Sequence, residues 1–127
     1  MVEPMNDIQL TTNFKLSEFC NLHDDLSSEI LGNITKLAKR LQELRDKLDK
    51  PIKITSGYRS PDHNQSVGGA KQSYHMKGMA VDCVVQDMEP KDVYKHLTDW
   101  QGGIGLYIAH LHLDIRPYRA AWKSNLP

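Results

Sequence analysis

In the stretch SYHMKGMAVD, Ser73 to Asp82, an imidazole and a carboxylate lie seven residues apart. That spacing fits neither one turn of a helix nor one face of a strand. The two side chains meet only if the backbone bends between them, and Gly78 is a residue that permits such a bend. Downstream, LHLDIR reads as a strand. Its alternation puts Leu111, Leu113 and Ile115 on one face and His112, Asp114 and Arg116 on the other. By the same rule AVDCVV turns Val81, Cys83 and Val85 to a core and Asp82 away from it. If these strands are neighbours, Asp82 approaches His112, and His75 folds back from the preceding loop. Two imidazoles and one carboxylate fill three corners of a zinc tetrahedron and leave the fourth for water, the mark of a catalytic zinc site. Zinc brings the pKa of such a water to about 7 and polarises a carbonyl, so hydrolysis of an amide is the natural reaction. A base must then lie close by. Asp114 is the local candidate, or else it orients His112 from behind; the residues leave both roles open. Arg116 is a partner that would keep Asp114 ionised. His110 has the parity of His112 but stands at the strand edge, outside the ligand set. His63 reads as solvated surface, and His23 and His96 carry no signal.

The elements that must position these groups follow from pattern. Ile30, Ile34, Leu37, Leu41, Leu44 and Leu48 recur at steps of four and three, one face of a helix. Ser27 is its N-cap and Pro51 its stop. IKIT reads as a strand, and the Gly-, Ser- and Pro-rich segment from Ser56 to His75 as a functional loop. Ala80 to Gln86 is a second strand. Pro90 opens a second helix that carries Val93, Leu97 and Trp100 on one face and ends at Gly102-Gly103. GIGLYI and LHLDIR are further strands, while RAAWKSNLP is too short to assign. Ser17 is a candidate cap for a short turn near Phe14, Leu16 and Phe19, and residues 1–13 are expected to be poorly ordered. Tyr58, Tyr74, Tyr107, Trp100 and Trp122 read as core or cleft wall. The pattern predicts an α+β fold, a small antiparallel sheet packed against helices.

The 127 residues predict a single domain, 1–127. Sixteen basic and sixteen acidic side chains balance, which argues against nucleic acid as a partner. No run is long and apolar enough for membrane insertion. The N-terminus lacks the basic-then-apolar pattern of a secretory signal. Cys20 and Cys83 form no metal-binding pair and read as free thiols, with a disulfide not excluded.

The runs SGYRS, VGGA, SYHMKGMAVD, and GGIGLY followed by HLDIR together resemble the zinc D-alanyl-D-alanine metallocarboxypeptidase family, peptidoglycan peptidases that share the hedgehog fold. The resemblance covers about residues 14 to 116. It implies Zn2+ held by His75, Asp82 and His112, Arg59 steadying a substrate carbonyl or carboxylate, and Ser73 contacting substrate. In the better-known branches an acidic base stands three positions before the last histidine, where this chain has Ala109. A further branch has an aspartate two positions after it, as Asp114 stands here. The expected partner is a peptidoglycan stem peptide, cut as a D,D-carboxypeptidase or endopeptidase by a monomer. The expected setting is a phage or prophage enzyme, made in the cytoplasm and acting on the wall after release or within a virion. A non-catalytic zinc module that binds cell wall or builds a phage particle is the alternative, and a zinc peptidase acting on another peptide is a third reading.

Overall fold

The computed structural model describes residues 3–124. Helix α1 runs Ser28–Leu48, and the side chain of Ser27 accepts a hydrogen bond from the Ile30 N–H. Its apolar stripe lies inward: Ile34, Leu37, Ala38, Leu41 and Leu44 are buried, with Ile30 and Leu48 at the margins. Asp49 ends the helix in the left-handed region, and Pro51 prevents its continuation. Five strands follow: β1 (Ile52–Ser56), β2 (Ala80–Val85), β3 (Gly103–Leu106), β4 (Leu111–Asp114) and β5 (Ala120–Lys123). Two short helices, α2 (Pro61–Ser66) and α3 (Pro90–Tyr94), lie between them. No helix among the described residues is long and apolar enough to cross a membrane.

The sheet has the order β1-β2-β4-β3-β5. The first four strands pair antiparallel, as the pattern predicts, but β5 pairs parallel with β3, so the sheet is mixed. The reason is geometric. β4 ends beside the start of β3, and the short link 115–119 steps past that end and lays β5 on the free edge of β3. Along each strand the residues alternate. Val81, Cys83, Val85, Ile104, Leu106, Leu111 and Leu113 join the α1 stripe in one core, and the opposite set of side chains leaves the other face to the site.

Three local expectations differ from the structure. The segment after β1 holds α2 and a 3-10 turn, Tyr74–Lys77, rather than loop throughout. Ser60 caps α2 and Pro61 occupies its first turn, a start signal that outweighs the glycines around it. α3 stops at Tyr94. Val93, Leu97 and Trp100 all still reach the core, through successive turns instead of one helical face. The turn Leu16–Glu18 is closed by Glu18, whose carboxylate accepts the Lys15 N–H, while Ser17 bonds outward to Asp7. Residues 3–13 carry a β-bridge, Gln9 with Lys15, and a backbone hydrogen bond from Met5 to Leu22; residues 1 and 2 lie outside the described residues. Cys20 and Cys83 are both free, half-buried and buried respectively. Burial pushes their thiols up to about 11 and about 12, so neither is a ready thiolate.

Gly78 ends the 3-10 turn with φ 71°, and a Cβ there would lie 2.9 Å from both the Ile30 carbonyl oxygen and Ile30 Cγ2. Gly78→Ala therefore combines left-handed strain with a backbone clash. The expected cost is about 2 kcal/mol, read as a fall of several degrees in melting temperature. An unchanged melting curve would show that α1 yields at Ile30.

Candidate active site

The sheet register lines up one row of residues across all five strands: Ser56, Asp82, His112, Gly105 and Trp122 are successive cross-strand partners. Asp82 and His112 are thus direct neighbours, with Cβ atoms on one face. His75 arrives from the turn Tyr74–Lys77. Ser73 Oγ caps that turn by accepting the His75 N–H, and Gly78 closes it.

The three side chains meet at one carboxylate oxygen. Asp82 Oδ1 lies 3.4 Å from His75 Nε2 and 3.3 Å from His112 Nδ1. One ligand atom from each residue lies within 4.8 Å of the other two. With zinc–ligand bonds of about 2.05 Å, the edge of a tetrahedron is about 3.3 Å, the separation found here. The ring partners settle which nitrogens are bare. His75 Nδ1 is 2.8 Å from the Gly57 carbonyl oxygen, which only accepts, so Nδ1 carries the hydrogen and Nε2 has a lone pair. His112 Nε2 is 2.7 Å from Asp114 Oδ2, so this nitrogen donates and Nδ1 is bare. With both rings neutral, two imidazole lone pairs and a carboxylate oxygen converge, an arrangement a cation satisfies.

With no cation between the three groups, burial would raise the Asp82 carboxyl, but hydrogen bonds from ring hydrogens of His112 and His75 outweigh it and hold the group well below the usual carboxylate range; a cation would take the place of those hydrogens. Burial would lower His112, yet its bonds to Asp114 and Asp82 raise it overall. Arg59 closes the other side of Asp82. Its Nη2 is 3.3 Å from Asp82 Oδ2, its Nε donates to Ser56 Oγ, and its Nη1 reaches Asn64 Oδ1.

Asp114 lies beneath His112 and is fully buried. It accepts from His112 Nε2, from the Gly103 N–H at 2.8 Å, and from Arg116 through the backbone N–H, Nε and Nη2. Its carboxyl is raised by burial but held low overall by Arg116 and His112. Gly103 makes the room, since a Cβ there would sit 2.3 Å from Asp114 Oδ2. Arg116 is covered by Tyr74, with Cζ 4.5 Å from the ring centre, and by Trp122 at 5.2 Å.

These groups floor an open cleft of about 460 Å³. The metal-type triad, Arg59, Ser73 and His110 all line it, with Tyr74, Tyr107, Arg116 and Trp122 as wall. Asp114 lies below the floor. His63 is exposed and stands outside it. The sequence reading did not single out Asn64, which is buried on α2 and bonds Ala70 O and Arg59; the Ser60-Pro61 helix start was the available signal. Trp122, read from the sequence as core or cleft wall, does line the cleft, but the strand that carries it had no pattern to reveal it.

Comparison with known proteins adds the following. The chain is 37% identical over 78 residues to the peptidoglycan L,D-endopeptidase MepK of Escherichia coli K12, which spans 55% of this chain and 43% of that protein. It is 36% identical over 77 residues to the zinc D-Ala-D-Ala carboxypeptidase of Streptomyces albus G, 55% of this chain and 30% of that protein. A probable L,D-endopeptidase MepK of Haemophilus influenzae is 36% identical over 81 residues, 58% of this chain and 43% of that protein. The chain thus spans less than half the length of these curated relatives. The family model for Peptidase M15 matches residues 12–114, which contain the whole triad, and the chain belongs to that family.

Proposed function

We propose that this chain is a zinc peptidase that hydrolyses an amide bond in peptidoglycan stem peptides. The observation that carries the reading is the convergence of three donor atoms from His75, Asp82 and His112, the two ring nitrogens 3.3–3.4 Å from one Asp82 oxygen, on the floor of an open cleft. The relatives' named activities supply the substrate class. When bound, zinc supplies a Lewis acid that polarises a carbonyl and activates water.

The chain's own residues have distinct tasks. Gly57 O and Asp114 fix the two imidazole rings with their bare nitrogens toward the site. Asp114 is saturated with donors and shut off from the cleft, so it orients His112 and keeps it basic rather than carrying a proton from water. Arg59 steadies Asp82, and because it also lines the cleft, its guanidinium is placed to stabilise charge that develops on the carbonyl oxygen of a bound peptide. Ser73 acts on the site through the turn that it caps.

The proton-handling group is then His110. It lines the same cleft, it shares the strand parity of His112, and its ring lies flat on Tyr107, with centres 4.5 Å apart. Imidazoles exchange protons near neutral pH. His110→Ala is expected to lower turnover by about 100- to 10,000-fold while zinc stays bound at one equivalent. Loss of zinc in that variant would instead make His110 a ligand.

Digestion of purified peptidoglycan, with and without a chelator, tests the function itself. Chelator-sensitive release of stem-peptide fragments, identified by mass spectrometry, is expected. One equivalent of zinc with no fragments would favour a non-catalytic wall-binding module.

A further inference from the structure

Trp122 reaches the site because Gly105, between it and His112 in the cross-strand row, has no side chain; a Cβ there would lie 2.7 Å from the indole. The indole leans against the His112 ring, with centres 5.3 Å apart, and its Nε1–H donates to the Tyr107 hydroxyl oxygen at 3.1 Å. An indole nitrogen donates and never accepts. The hydroxyl of Tyr107 therefore spends an acceptor position on Trp122, and its own hydrogen must point elsewhere. Among the described residues that hydrogen has no acceptor. The rest of the ring is fixed as well. One face is stacked on His110, with ring planes 9° apart, and the Tyr107 backbone N–H donates to the His110 carbonyl across the β3–β4 turn. Tyr107 thus brings a rigid, unspent O–H donor to the wall of the cleft that holds His75, Asp82 and His112.

Peptide carbonyl oxygens are pure acceptors, and an immobilised donor facing them loses little entropy on binding. We propose that Tyr107 donates a hydrogen bond to a carbonyl oxygen of the bound peptide, and that Trp122 is the positioning residue that holds it for this contact. The proposal rests on the reading of the cleft as a peptidase site. It gives β5, the strand farthest from the three metal-type residues, a defined task.

Tyr107→Phe removes only the hydroxyl and keeps the ring stacked on His110. Its kcat/KM on a synthetic stem peptide ending in D-Ala-D-Ala is expected to fall about 10- to 100-fold, with zinc content and melting temperature unchanged. Trp122→Phe is expected to give a smaller loss that disappears in the Tyr107→Phe background, because Trp122 acts through the hydroxyl. Wild-type kcat/KM in Tyr107→Phe, or a Trp122→Phe loss undiminished in the double variant, overturns the proposal. Calorimetric titration of the same peptide into zinc-loaded protein separates this inference from the reading beneath it. If the wild-type protein binds without cutting, the peptidase reading fails. Weaker binding by Tyr107→Phe then still supports the contact, and equal binding overturns it. A wild-type protein that neither cuts nor binds the peptide overturns both.

Discussion

His75→Ala is expected to eliminate stoichiometric zinc and, with it, the proposed cleavage of peptidoglycan. A four-ligand zinc site in a small domain is worth about 10–16 kcal/mol at pH 7. One ligand then carries roughly 2.5–4 kcal/mol, and its loss weakens binding by a factor of about 70 to 900. His75 is a clean choice. Its ring makes one other polar contact, Nδ1 to the Gly57 carbonyl, and its backbone stays capped by Ser73. The fold therefore survives while the site does not. Zinc content by atomic absorption after dialysis, with a circular dichroism melt as control, checks this. One equivalent of tightly held zinc in the folded variant would place the metal elsewhere.

Asp114→Ala separates two roles that the bare sequence leaves open. As an orienting group, Asp114 sets the His112 tautomer, and its removal lowers zinc affinity about 10- to 100-fold. It also leaves Arg116 and the Gly103 N–H without their acceptor in a buried place. Breaking a buried charge pair in this way costs about 3–5 kcal/mol. The sign with pH follows from the depressed carboxyl. Its contribution is present above the unfolded carboxylate pKa of about 3.9 and is lost only as pH falls into strong acid. That part of the wild-type advantage over Asp114→Ala is the same at pH 6 and pH 8. The part that runs through His112, whose pKa Asp114 raises, is lost as pH rises, so in the metal-free proteins the advantage is expected to be larger at pH 6. A general base would behave otherwise, with turnover lost and both zinc affinity and stability kept. Competition with a chromophoric chelator and a denaturant titration read the two quantities separately.

What could be read from the sequence was whatever depends on short-range period. The α1 stripe, its Ser27 cap and its Pro51 stop are local. So is the alternation that turns Asp82 and His112 away from the core, and adjacency of their strands then suffices to bring them together. What the sequence left open depends on distant partners. Parity puts Asp114 on the site face, but its complete burial comes from Gly103 on the neighbouring strand and from Arg116 locked under Tyr74 and Trp122. No local pattern encodes that. AAWK has no alternation worth the name, and it becomes a strand because β3 offers a free edge within reach of a five-residue link. α3 looked longer than it is because three buried residues at helical spacing can also be delivered by consecutive turns. α2 was the avoidable miss: a serine cap followed by proline is a helix start even inside a glycine-rich segment.

Zinc K-edge X-ray absorption on the metal-loaded protein distinguishes a metal held by His75, Asp82 and His112 from one held elsewhere. One zinc per chain is expected, with a first shell of nitrogen and oxygen only, at about 2.0–2.2 Å, and outer-shell scattering from two imidazoles that is lost with the metal in His75→Ala. A sulfur shell near 2.3 Å, which only cysteine supplies, or a spectrum unaltered by His75→Ala, would contradict it.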